Sequence, residues 1–121
     1  MPKAFLTHDW GTKEDGHANH KRVGDVYRGL KAKGYECWFD DIAMTGDITE
    51  AMTKGIDSSE CAIIFITKRY LSKINGVDKS DNCFKEFKYI CMKKKPIILV
   101  LMDGNVRQAD INDGYAGMMN I

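Results

Sequence analysis

The sequence has only two prolines, Pro2 and Pro96, so almost nothing between them forbids regular helix and strand. No apolar run approaches the length a membrane-spanning helix needs, about 20 residues. Met1-Pro2-Lys3 leads almost directly into a short apolar run, without the order of regions that marks a signal peptide. Charge of one sign is not in surplus: 18 Lys+Arg stand against 17 Asp+Glu, a net of +1. That balance gives no reason to expect a nucleic acid or an anionic membrane as partner. Cys37, Cys61, Cys83 and Cys91 form no CxxC pair, so four free, mostly buried thiols are expected, in a reducing and hence cytoplasmic setting. Neither GxGxxG nor GxxxxGK[ST] is present, which removes the Rossmann and P-loop readings.

What is present is a chain of 121 residues, the size of one domain, here taken as residues 1–121. A domain of that size buries roughly two-thirds of the surface of its unfolded chain, enough for a core without disulfide or metal staples. Short apolar runs recur at Ala4–Thr7, Glu36–Phe39, Cys61–Thr67 and Ile97–Met102. They are continuous rather than alternating, as strands covered on both faces require.

Helical patterns lie between the runs. From Asn19 to Lys33, Val23, Val26, Tyr27 and Leu30 make one stripe, and Gly34 is a natural stop. A second pattern starts at Asp47, with Glu50 three residues on and a stripe of Ile48, Ala51, Met52 and Ile56. A third starts near Asp81, carries Cys83, Phe87, Ile90 and Cys91, and runs through Lys93–Lys95 to Pro96. The alternation β-α-β-α-β-α-β predicts a parallel sheet with right-handed crossovers and helices on both faces.

Ligands of such sheets bind outside the carboxyl ends of the strands, where strand order reverses. With the first strand between the second and third, the crevice is flanked by the loops His8–Ala18 and Lys68–Ser80, with Asp40–Gly46 beside them. The first and third are longer than ordinary strand-to-helix connections. Glu86 is one turn into the helix that faces this crevice. Its neighbours at helical spacing are Asn82, Cys83, Tyr89 and Ile90, none of them cationic, so no local lysine pair accounts for it. It reads either as a functional carboxylate or as one favoured by the positive end of its helix.

Other groupings carry less. His17 and His20 are three apart, but no third ligand completes a metal site, so no metal is expected and the pair reads as a solvated loop and helix start. Lys93–Lys95 reads as a solvated helix end. Asp9, Asp40 and Asp41 are similar to the acidic pocket of receiver domains, but the third strand ends in Thr67-Lys68 where that pocket needs an aspartate. Trp10 in a polar loop admits two readings, a ring folded onto the first helix or a ring that stacks on a nucleotide base.

Several blocks, in order, resemble the TIR (Toll/interleukin-1 receptor) domain. They are Phe5-Leu6-Thr7-His8, Leu30 to Asp41, Thr45-Gly46-Asp47-Ile48, Gly55 to Ser59, Thr67 to Leu71, and Cys83-Phe84-Lys85-Glu86-Phe87. The resemblance spans residues 4 to about 102. It implies a flavodoxin-like three-layer α/β sandwich of four to five parallel strands in the order 2-1-3-4-5.

It also implies two functions, because the family divides. One branch cleaves NAD, and there Glu86 matches the catalytic glutamate, with Asp9, Trp10, Asp40, Met44, Gly46 and Cys83 lining the substrate site. NAD is then a substrate and no cofactor is implied. The other branch signals by TIR–TIR assembly, and in both the implied partners are other TIR domains. Asn82 departs from the enzymatic branch, which often has Trp there, and Asp9-Trp10 stand where many enzymatic members have a basic residue. Only 19 residues follow Met102, so the family's last strand and helix are expected to be incomplete.

Overall fold

A computed structural model describes residues 3–39, 49–76 and 82–104. Along the chain these form β1 (Lys3–His8), α1 (Ala18–Ala32), β2 (Glu36–Trp38), α2 (Thr49–Asp57), β3 (Cys61–Ile66), α3 (Lys68–Ile74), α4 (Asn82–Met92) and β4 (Ile97–Leu101). The strands make one parallel sheet in the order β2-β1-β3-β4. Phe5 lies opposite Trp38 on one side and Ala62 on the other, and Ile64 lies opposite Leu99. β1 is therefore inside the sheet, in the order that the resemblance implies. A fifth strand falls outside the described residues.

β3 shows why the apolar runs are continuous. Ala62, Ile64 and Ile66 point to one face, where α2, α3 and α4 deliver Met52, Ile56, Tyr70, Leu71, Phe87 and Ile90. Ile63 and Phe65 point to the other, against Leu6 and against Val23 of α1, with Tyr27 and Leu30 at the margin. Each such side chain, fully buried, contributes roughly 1.5–3 kcal/mol. α2 comes unusually close to the sheet at Gly55, where a Cβ would stand 2.8 Å from Trp38 and 3.1 Å from Phe5.

Two helix ends share one hydrogen-bond pattern. After α1, Tyr35 N–H donates to Leu30 O (3.0 Å) and Gly34 N–H to Lys31 O (3.0 Å), with Gly34 at φ 92°. After α4, Lys95 N–H donates to Ile90 O (3.3 Å) and Lys94 N–H to Cys91 O (3.1 Å), with Lys94 at φ 55°. Both are Schellman ends, and the second forces a lysine into the left-handed region. The lysine run after α4 is also more than a solvated end. Lys95 Nζ donates to the carbonyls of Asp57, the last residue of α2, and of Ser59 (3.2 and 3.0 Å).

The structure corrects the reading of Lys68–Ser80 as loop, because its first half is α3. Thr67 is the cap: its Oγ1 accepts Tyr70 N–H at 3.0 Å, and Tyr70, Leu71 and Ile74 are buried. The cap expected at Asp47 lies outside the described residues. All four cysteines are free thiols; Cys83 is buried and the other three only half-buried. No helix among the described residues is long and apolar enough to cross a membrane.

Candidate functional site

The last residues of β1 are polar yet buried. Thr7 Oγ1 and the Tyr70 hydroxyl share a hydrogen bond of 3.0 Å. Burial pushes the Tyr70 phenol well above its ordinary range; Cys83 and Glu86 add to this and the Thr7 hydrogen bond opposes it. Tyr70 therefore stays a neutral hydroxyl, and the Glu86 carboxylate lies within electrostatic reach of it.

His8 follows. Its Nε2 is 2.7 Å from Nδ1 of His20, so one ring donates and the other accepts. Burial, then His20, then Lys73 push its pKa down to about 3 against an opposing pull from Asp9. His20 sits in an aromatic column, 3.7 Å from the Trp10 ring and 5.3 Å from Phe39 between centroids, with Tyr27 beyond Phe39 at 4.8 Å. Of the two readings of Trp10, the ring folded onto the first helix is the geometry observed. His20 is thus a stacked, hydrogen-bonded ring and not a solvated helix start.

Asp9 is 1% exposed and surrounded by donors. Oδ2 accepts from Arg69 Nε (3.0 Å) and from the Gly11 amide (3.0 Å). Lys73 Nζ stands 2.7 Å from Oδ1, which takes its compensation from that charge rather than from an aligned hydrogen bond. The carboxylate is committed to these protein partners. The Asp9 carbonyl accepts from Asn19 Nδ2, Asn19 Oδ1 from Arg22 Nη2 (2.9 Å), and the Met102 carbonyl from Arg22 Nη1 (3.1 Å). The ends of β1 and β4 are thereby tied through α1. The loop after Trp10 is closed by Asp15, whose carboxylate accepts amides of Thr12, His17 and Ala18. Slight desolvation opposes these bonds, yet they hold its pKa below the usual range.

α4 completes the site. Cys83 Sγ lies 3.5 Å from the His8 carbonyl, which pins the start of α4 to the end of β1. Glu86, one turn later, is half-buried. Asp9, Trp10, Cys83 and Glu86 therefore gather at the carboxyl edge of the sheet. Asp40, Met44 and Gly46 lie outside the described residues. Arg69, Lys73 and Phe39 were not singled out from sequence; the cap-and-stripe pattern of Thr67, Tyr70, Leu71 and Ile74 was the signal that would have placed the two cations on a helix. Among the described residues, no group of three or more His, Cys, Asp or Glu side chains is placed to hold a metal ion. A shallow groove of about 500 Å³, lined by Lys3, Trp38, Lys54, Gly55, Asp57 and Ser58, lies beside α2, apart from these residues.

A parallel sheet in this order, with loops and a carboxylate-bearing helix at its carboxyl edge, defines the flavodoxin-like α/β class. Within it, the profile of the family described as TIR domain matches residues 6–118, and the chain belongs to that family. Among solved structures, it is similar to the TIR domains in the activated Roq1 resistosome that directly recognises the pathogen effector XopQ. That match has a TM-score of 0.66 and 19% identity, and covers 99% of this chain and 69% of that one. No curated protein matches the sequence.

Proposed function

We propose that this TIR domain cleaves the nicotinamide–ribose bond of NAD, with Glu86 as the catalytic carboxylate. The observation that carries the reading is the position of Glu86: half-buried, one turn after a cysteine bound to the end of β1, at the crevice where such sheets take ligands. The bond breaks with its electron pair going to the pyridine nitrogen, so neutral nicotinamide leaves and no general acid is needed. The ribose carbon becomes oxocarbenium-like, and a carboxylate held beside it stabilises that charge. Water adds to the carbon and loses a proton, giving ADP-ribose; attack by a group of the same nucleotide gives a cyclic product.

A second reading, a non-catalytic TIR–TIR scaffold, draws support from the assembled state of the Roq1 TIR domains and from Ile98 and Leu101 on β4, which are 51% and 55% exposed. Self-association is compatible with both readings and would serve to activate the first. The test is nicotinamide release from NAD by concentrated protein, with and without a crowding agent, beside Glu86→Gln. We expect wild-type turnover and a loss of about 100-fold or more in the variant. Equal release by both sinks the assignment of Glu86, and no release by folded, assembled protein favours the scaffold.

A further inference from the structure

Asp9 contributes one negative charge to the end of β1, and Arg69 and Lys73 bring two positive ones. Counted over these three side chains alone, the charge at this point of the sheet's carboxyl edge is positive by one. Arg69 is the exposed member: its side chain is 51% exposed while the aspartate is 1% exposed. Of the five guanidinium N–H groups, Asp9 takes only the one on Nε. The four on the two Nη atoms meet no acceptor among the described residues. The buried carboxylate holds the guanidinium at Nε, and the Nη donors belong to a side chain that is half exposed. Their fork matches two oxygens of a phosphate.

Asp103 accepts the Lys68 amide at 3.1 Å and lies 3.9 Å from Arg22, so it has its own donors. Glu86 stands on α4, which is held to the carbonyl of His8, the residue before Asp9. The cations of α3 and the helix that carries Glu86 are therefore anchored to two consecutive residues, Asp9 and His8. NAD has the complementary polarity, with a cationic pyridinium at one end and a doubly negative diphosphate in the middle. A ligand lying across the end of β1 has one orientation in which both attractions are made. The reverse orientation sets like charges together.

We infer that Arg69, braced by Asp9, is the diphosphate-binding residue of the crevice and sets the direction in which the dinucleotide lies. The inference rests on the NAD reading of Glu86, and the two can fail separately. The probes are ADP-ribose, inorganic pyrophosphate and adenosine, with binding followed by calorimetry on the full chain. Arg69→Gln is expected to weaken ADP-ribose and pyrophosphate about tenfold and to leave adenosine unchanged. Because the substitution strips a buried carboxylate of one partner, Asp9→Asn/Arg69→Gln is measured beside it. The double variant removes the charge with the partner, keeps the unfolding midpoint near wild type, and shows the same loss. Unchanged ADP-ribose affinity in Arg69→Gln overturns the inference, as does an equal loss for adenosine or a return of affinity in the double variant. If Arg69-dependent binding persists while NAD is not cleaved, the catalytic reading falls and the anion subsite stands.

Discussion

The sulfur of Cys83 lies 3.5 Å from the main-chain carbonyl of His8, across 75 residues of sequence. This contact joins the start of α4 to the end of β1 and thereby sets where Glu86 stands. Cys83 also packs among Ile64, Tyr70 and Phe87.

Cys83→Ala should cost about 1–2 kcal/mol in urea unfolding, from lost packing and the unfilled space. Its effect on any NAD turnover should exceed its effect on stability, because the helix start is released. Cys83→Ser, which keeps a donor toward the His8 carbonyl, should recover part of that turnover. If alanine and serine behave alike in turnover, the contact with His8 does not position Glu86.

A second buried contact has a cleaner test. Tyr70→Phe leaves the Thr7 hydroxyl without its partner in a dry site and should cost about 1–3 kcal/mol. Thr7→Val leaves the phenol stranded at a similar cost. The double variant removes both polar groups and should lose well less stability than the sum of the two single losses. Strict additivity in urea unfolding would mean that the hydroxyls find other partners.

β1 and β3 were legible because both their faces are covered, which writes them as unbroken apolar runs; β4 reads as the same kind of run although Ile98 and Leu101 stand half exposed. Gly34 and Pro96 marked the ends of α1 and α4 for equally local reasons. α3 was harder to see: seven residues carry only three buried side chains, and Lys68, Arg69, Ser72 and Lys73 between them read as loop. The pairing of Asp9 with Arg69 spans 60 residues, and no local spacing announces it. The column from Trp10 to Tyr27 likewise needs β1, α1 and the end of β2 together in space. Glu86 stood out because its helical neighbours could not explain it.

Three backbone positions should respond with different signs. Gly55→Ala gains helix propensity of about 1 kcal/mol, but its Cβ would meet the Trp38 ring at 2.8 Å and that of Phe5 at 3.1 Å. Both rings are packed in the core around α2, so the clash should win and the net effect should be a loss of roughly 1–2 kcal/mol. Gly29→Ala in α1 meets nothing within 4 Å and should stabilise by about 0.5–1 kcal/mol. Lys94→Gly relieves a left-handed residue at φ 55° and should stabilise by about 1 kcal/mol. Thermal unfolding of the three variants reads the signs directly, and a stabilising Gly55→Ala would show that α2 can move off the sheet.

The His8–His20 pair should make stability depend on pH in a definite direction. His8 titrates near 6.5 when unfolded and at about 3 when folded, so between those values the unfolded chain binds the extra proton. Its contribution is fully present above about pH 6.5 and is lost progressively as pH falls toward 3, with a limiting slope of about 1.4 kcal/mol per pH unit. His20 and Lys73 face the ring and work with burial to keep it neutral, while Asp9 works against them. Asp15 acts in the same direction but at lower pH, since its pKa lies below the usual carboxylate range. The window from pH 6.5 to 5 therefore separates His8 from Asp15, and wild type should lose about 1–2 kcal/mol across it in urea unfolding. His8→Phe keeps a ring against Phe39 and His20 but removes the titrating group, so its slope should be flatter by about one proton. Parallel slopes for the two proteins would mean that His8 takes up its proton without cost to the fold, and that the hydrogen bond to His20 does not hold it neutral.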